Sequence, residues 1–118
     1  MTDASGLQLS AEDKKLVTLA RATWGRTGGP EGAALRDSDG RTYAAATVAL
    51  PSLQVSALGV CVAMAISSGS RGLEAAVLLT DRGGVSPLDL VVLRDFGGPG
   101  VTVHVGDPRG AIGSSTAT

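Results

Sequence analysis

The side chains able to do chemistry are few and far apart. The chain holds one cysteine, Cys61, and one histidine, His104. A thiolate is a nucleophile or a soft metal ligand, and an imidazole is a general base or a metal ligand. A protein zinc site draws three or four such donors, so this pair is too small for one. Cys61 stands between Val60 and Val62 and reads as an inert core thiol. His104 stands in the alternating run Val101–Val105, with no nucleophile or paired carboxylate in view, and reads as a surface or edge histidine. Ser56 has no recognisable activator and reads as a small helix-packing serine. Asp89 is an acid candidate, but at the third position of a helix a carboxylate simply favours the helix dipole. Gly25–Gly32 and Gly97–Gly100 are glycine-rich without the lysine or the strand–glycine–helix setting of a phosphate cradle, and read as loops. Arg21 and Arg26 read as solvated helix-face charges.

The elements that would position these groups come from patterning. Ser10 with Asp13 resembles a capping box, and Leu16, Val17, Leu19, Ala20 and Trp24 fit one side of a helix over about 10–26, ended by Gly28-Gly29-Pro30. Asp37-Ser38-Asp39-Gly40 is turn chemistry between strands at about 32–37 and 41–48. Pro51-Ser52 opens a second helix, about 52–68, whose apolar residues cover its whole circumference. That predicts burial on most sides, against a sheet and a subunit neighbour. Leu73–Thr80 is a continuous apolar run, as in a strand buried on both faces. Ser86-Pro87 starts a third helix, about 86–96. Val101–Val105 is a further strand, and Ala111-Ile112 adds a final short one. The order α-β-β-α-β-α-β implies a mixed sheet covered by helices.

Composition sets limits on function. The 118 residues suit one domain, 1–118, large enough to bury roughly two-thirds of its unfolded surface. Residues 1–8 and 113–118 read as disordered tails. A net charge of -1 argues against a general electrostatic grip on nucleic acid. A lone cysteine suits a reducing compartment, and the N-terminus lacks a signal pattern, so a cytoplasmic setting is expected. Thr42–Ser70 carries no charge, but Pro51, Gln54, Ser56 and Ser67 interrupt it. Its apolar core, Leu53–Ile66, is shorter than the ~20 residues a bilayer requires, so no membrane span is expected.

Several phrases, in order, resemble the cytidine deaminase family over roughly Gly32 to Ile112. Gly32-Ala33-Ala34-Leu35 with Asp39-Gly40-Arg41-Thr42-Tyr43 is similar to that family's opening hairpin. Ala65-Ile66-Ser67-Ser68-Gly69 is similar to the end of its zinc-bearing helix, and Val85-Ser86-Pro87 to the lead into its second zinc motif. The resemblance implies a three-layer α/β/α fold with a mixed sheet of four to five strands. It also implies where the chemistry would lie. Zinc deaminases hold the metal with a cysteine or histidine and two further cysteines, and a glutamate shuttles protons. The Cys-Ala-Glu motif falls on Ser56-Ala57-Leu58. The Pro-Cys-x-x-Cys motif falls on Pro87-Leu88-Asp89-Leu90-Val91. The ribose-binding Asn-x-Glu pair falls on Thr47-Val48-Ala49. Ser56 is a poor zinc ligand, Leu58 cannot titrate, and Leu88 and Val91 are aliphatic.

These substitutions point away from zinc or any other cofactor, towards a non-catalytic, deaminase-like interaction or scaffold protein. The expectation is an apolar plug where the metal would sit. The family resemblance implies dimers or tetramers formed through helices near the site, so a homo-oligomer, with an unidentified protein partner, is expected. The alternatives are a nucleoside deaminase with an atypical site and a module that senses nucleosides through a remnant pocket.

Overall fold

The computed structural model describes residues 9–118; the tail expected at 1–8 lies outside them. The elements run α1 (Ala11–Thr27), β1 (Glu31–Asp37), β2 (Thr42–Ala46), β3 (Val48–Leu50), β4 (Leu53–Val55), α2 (Ala57–Ser67), β5 (Leu73–Thr80), α3 (Pro87–Gly97), β6 (Thr102–Gly106) and β7 (Ile112–Ala117). Each helix begins on a serine whose hydroxyl accepts a backbone N–H three residues on: Ser10 from Asp13, Ser56 from Gly59 and Ser86 from Asp89. Each cap satisfies one of the amides that a first helical turn leaves without an intrahelical acceptor.

Among the described residues, five strands form one sheet in the order β2-β1-β5-β6-β7. The β5–β6 pair is parallel, joined through α3, and the other pairs are antiparallel. The apolar run Leu73–Thr80 occupies the centre, as expected of a strand buried on both faces. Ala75, Val77 and Leu79 meet Leu16 and Ala20 of α1 on one side. Ala76 and Leu78 meet Leu58, Cys61, Val62 and Leu93 of α2 and α3 on the other. The result is the three-layer α/β/α arrangement with a mixed sheet. Helix α1 lies very close to β1. A Cβ at Gly32 would stand 2.5 Å from Trp24 Cβ and 2.6 Å from the Ala20 carbonyl oxygen, so the position requires glycine.

Four expectations are corrected. The second helix begins at Ala57, not 52, and the strand placed at 41–48 ends at Ala46. Between them β3 and β4 form a separate two-stranded hairpin whose turn is Pro51-Ser52. Proline suits the first central position of a turn as well as it suits a helix start, and Ser56 supplies the stronger cap. The stretch read as a disordered tail, 113–118, is ordered. Ile112–Ala117 pairs antiparallel with β6, and Thr118 N–H donates to the Val101 carbonyl. Its small polar residues carry little strand propensity, and the partner strand supplies the order. Finally, the Asp13 carboxylate does not close a capping box; it leaves the helix end for Arg36 and His104. No helix among the described residues is long and apolar enough to cross a membrane.

Candidate functional site

Two of the segments implied by the family resemblance, at Ser56 and at Asp89, meet where the first turns of α2 and α3 come together, past the C-terminal end of β5. Ser56 caps α2, and Asp89 is the third residue of α3. The Ser56 hydroxyl donates to Asp89 Oδ1 at 2.7 Å while accepting the Gly59 N–H at 3.0 Å. The Asp89 N–H in turn donates to Ser86 Oγ at 3.2 Å. Both functions of the Ser56 hydroxyl are therefore committed to holding two helix ends, which leaves no activated nucleophile. Beside this link lies a cavity of about 340 Å³, lined by Glu31, Ser56, Arg82, Ser86 and Asp89 with Gly84 and Val85. Glu31 is tied in by the Thr80 hydroxyl, which donates to Oε2 at 2.7 Å and accepts the Arg82 N–H at 3.1 Å.

Zinc finds no suitable donor set here. The three positions implied as ligands are a capping hydroxyl, Ser56, and two aliphatic side chains, Leu88 and Val91. Among the described residues no three of His, Cys, Asp and Glu gather closely enough to hold a metal ion. Cys61 and His104 lie on opposite faces of the sheet. Cys61 is fully buried with the α2 cluster, and burial pushes its thiol up to about 12, despite a backbone hydrogen bond at Ala45 that pulls the other way.

Leu58 is buried. Leu88 and Val91 are not: they are 71% and 47% exposed, so they do not plug a cavity as expected but project from the first turns of α3. Their helix offers the sheet its other side, through Leu93. Thr47 follows β2, its N–H donating to the Glu31 carbonyl, and Ala49 is exposed on β3. Arg21 and Arg26 are exposed on α1, as read.

His104 requires a further correction. It is 8% exposed and sits on β6, an inner strand, facing α1. Its Nε2 lies 2.9 Å from Asp13 Oδ2 and its Nδ1 lies 2.8 Å from Ser115 Oγ. Arg36 Nη2 donates to Asp13 Oδ1 at 2.8 Å, and Arg36 Nε donates to Glu74. Burial would raise the Asp13 pKa, but the hydrogen bonds of Arg36 and His104 and the charge of Arg36 outweigh it and hold the carboxyl below its ordinary value. Asp13, His104 and Ser115 come from α1, β6 and β7, so no local spacing announces the group. The one local clue is the antiparallel pairing of β6 with β7, hidden in a stretch read as tail.

The family model described as cytidine deaminase-like matches residues 9–110, and the chain belongs to that family. No curated protein matches its sequence. Its fold is that of solved cytidine deaminases. The enzyme from Burkholderia pseudomallei superposes with a TM-score of 0.76 at 21% identity, over 92% of this chain and 93% of the other. The Mycobacterium leprae enzyme gives 0.73 at 19% identity, over 92% and 94%. The Mycobacterium tuberculosis enzyme gives 0.68 at 22% identity, over 80% and 85%.

Proposed function

We propose that this chain does not deaminate nucleosides and works by self-association through its α2–α3 face, as a cytoplasmic interaction protein on a deaminase fold. The observation that carries the reading is the state of Leu88 and Val91. Where the family resemblance places metal ligands, aliphatic side chains face solvent rather than an interior. Large apolar side chains left exposed together in this way mark an interaction site. Leu50 and Leu53 of the β3–β4 hairpin are also more than half exposed. That hairpin runs directly into Ser56, which is bonded to α3, so both pairs frame the same end of the helical layer. Helix α2 adds Ala63 and Ile66, also exposed, and contains no charged residue.

A second copy is the favoured occupant because the large side chains left exposed there, Leu50, Leu53, Leu88 and Val91, are all aliphatic. An isologous contact sets the same patch of each copy face to face, and uncharged leucines and valines meet there without repulsion.

The competing reading is a nucleoside deaminase with an atypical site, supported by the family and by the names of the superposed enzymes. It needs a group that makes hydroxide or moves a proton beside the substrate. The implied positions offer Ser56, Leu58, Leu88 and Val91 instead. Native mass spectrometry of the purified chain tests both. The proposal requires two or more copies per particle and no added zinc mass. One zinc per chain, or a monomer at micromolar concentration, would overturn it.

A further inference from the structure

The opposite face of the sheet carries a second group of interacting polar side chains, independent of the α2–α3 surface. Arg36 holds Asp13 as a carboxylate, so Asp13 Oδ2 can only accept from His104 Nε2. The ring proton of neutral His104 is therefore on Nε2, and Nδ1 has a free lone pair. Among the described residues, the donor that meets that lone pair, at 2.8 Å, is the Ser115 hydroxyl. The serine proton thus already points at a base, and the base is oriented from behind by an anion. Asp13, Arg36 and Glu74 together carry one net negative charge, which the imidazolium formed on proton transfer would balance.

Ser115 is also accessible. It is exposed, and β7 is an edge strand among the described residues. The ladder fixes where its amide points. Thr118 N–H donates to the Val101 carbonyl, so pairs in that phase exchange hydrogen bonds. Ser115 pairs with His104, one step out of phase. In a pair of that kind the side chains approach closely and the backbone N–H turns away from the partner strand. The Ser115 N–H therefore faces outward from the sheet edge, beside its own hydroxyl, where it can receive a developing oxyanion.

We propose that Ser115 is a nucleophile activated by His104, with Asp13 and Arg36 as positioning residues, and that it accepts acyl groups from carboxylic esters reaching the open edge of β7. In that step Ser115 Oγ bonds to the ester carbonyl carbon as its proton passes to His104 Nδ1. The ester C–O bond breaks, and the leaving alcohol takes the proton back from His104. Water then attacks the acyl-serine by the same route, releasing the acid and restoring the hydroxyl. The nitrogens are used in the reverse of the usual order, with serine on Nδ1. The ring conducts the effect either way, because its two nitrogens belong to one π-system.

The test uses an alkyl fluorophosphonate on the full chain, read by intact mass and peptide mapping. Attack by Ser115 forms a P–O bond and expels fluoride, leaving one stable adduct. The proposal requires a single adduct on Ser115, absent in Ser115→Ala and unchanged in Ser114→Ala. Asp13→Asn, which can present an N–H to the ring and so reverse its tautomer, must slow labelling roughly tenfold or more at unchanged helix content by circular dichroism. Asp13→Glu, which keeps the charge, must restore part of the rate. A merely structural role for Asp13 would move the melting temperature without moving the labelling rate of the folded protein. No adduct on Ser115, or equal labelling of wild type and Asp13→Asn, would overturn the proposal.

Discussion

The Ser56 hydroxyl donates to the Asp89 carboxylate at 2.7 Å, and through that bond the first turn of α2 is fastened to the first turn of α3. The same hydroxyl caps α2, so its removal costs two interactions. Ser56→Ala should destabilise the chain by about 2 kcal/mol, one part a lost cap and the other a buried carboxylate left without its donor. Ser56→Thr keeps the hydroxyl and should cost less than half as much. Urea denaturation followed by circular dichroism measures both.

Helix α1 rests on β1 with no room for a side chain at Gly32. Gly32→Ala would force its methyl into Trp24 Cβ and the Ala20 carbonyl oxygen. Both are parts of a helix that cannot move without leaving the sheet. The expected loss is about 1–3 kcal/mol, read as a lower thermal midpoint, with Trp24 fluorescence shifted in the native state.

Acid should unfold the chain through buried carboxylates. Burial of Asp37 would raise its pKa. The Ser70 hydroxyl, the N–H groups of Arg41 and Asp39 and the charge of Arg41 more than offset this, holding it below the usual 3.8. Asp13 is shifted the same way. A depressed native pKa means that the unfolded chain binds the proton first. The stabilisation is therefore complete above the unfolded value, near pH 4, and is lost as pH falls through the native value. Asp37→Asn should lower stability at neutral pH and flatten this acid limb, as shown by denaturation midpoints collected from pH 7 to pH 2.

Cys61 should be inert until the chain opens. Its side chain is fully buried, and a thiol pushed up to about 12 holds almost no thiolate at neutral pH. Iodoacetamide should therefore modify it at the rate of unfolding in native buffer and rapidly in denaturant. Fast native labelling would place the thiol at the surface.

Much of this was legible in the sequence. The caps Ser10 and Ser86 and the apolar run Leu73–Thr80 marked two helices and the central strand, because capping and burial are local or nearly local signals. The β3–β4 hairpin was missed because Pro51-Ser52 serves a turn and a helix start equally well. β7 was expected only as a short strand at Ala111-Ile112, because Gly113, Ser114 and Ser115 gain order only from β6. At the candidate site, the sequence marked Ser56, Leu58, Leu88 and Val91 but not the direction of Leu88 and Val91. A helix at a layer boundary has a core side and a free side, and only the packing of Leu93 decides which is which. Asp13, His104 and Ser115 lay beyond reach for a related reason. They meet only because α1 crosses the face of the sheet that carries His104.

Sedimentation velocity on wild type and on Leu88→Glu/Val91→Glu tests most directly whether the α2–α3 face is an interaction surface. Wild type should sediment as a multiple of its 11.7 kDa mass at micromolar concentration, and the double variant, still folded by circular dichroism, as a single chain. A wild-type monomer at about 100 μM, where contacts weaker than about 5–6 kcal/mol dissociate, would contradict the account, as would a double variant that assembles like wild type.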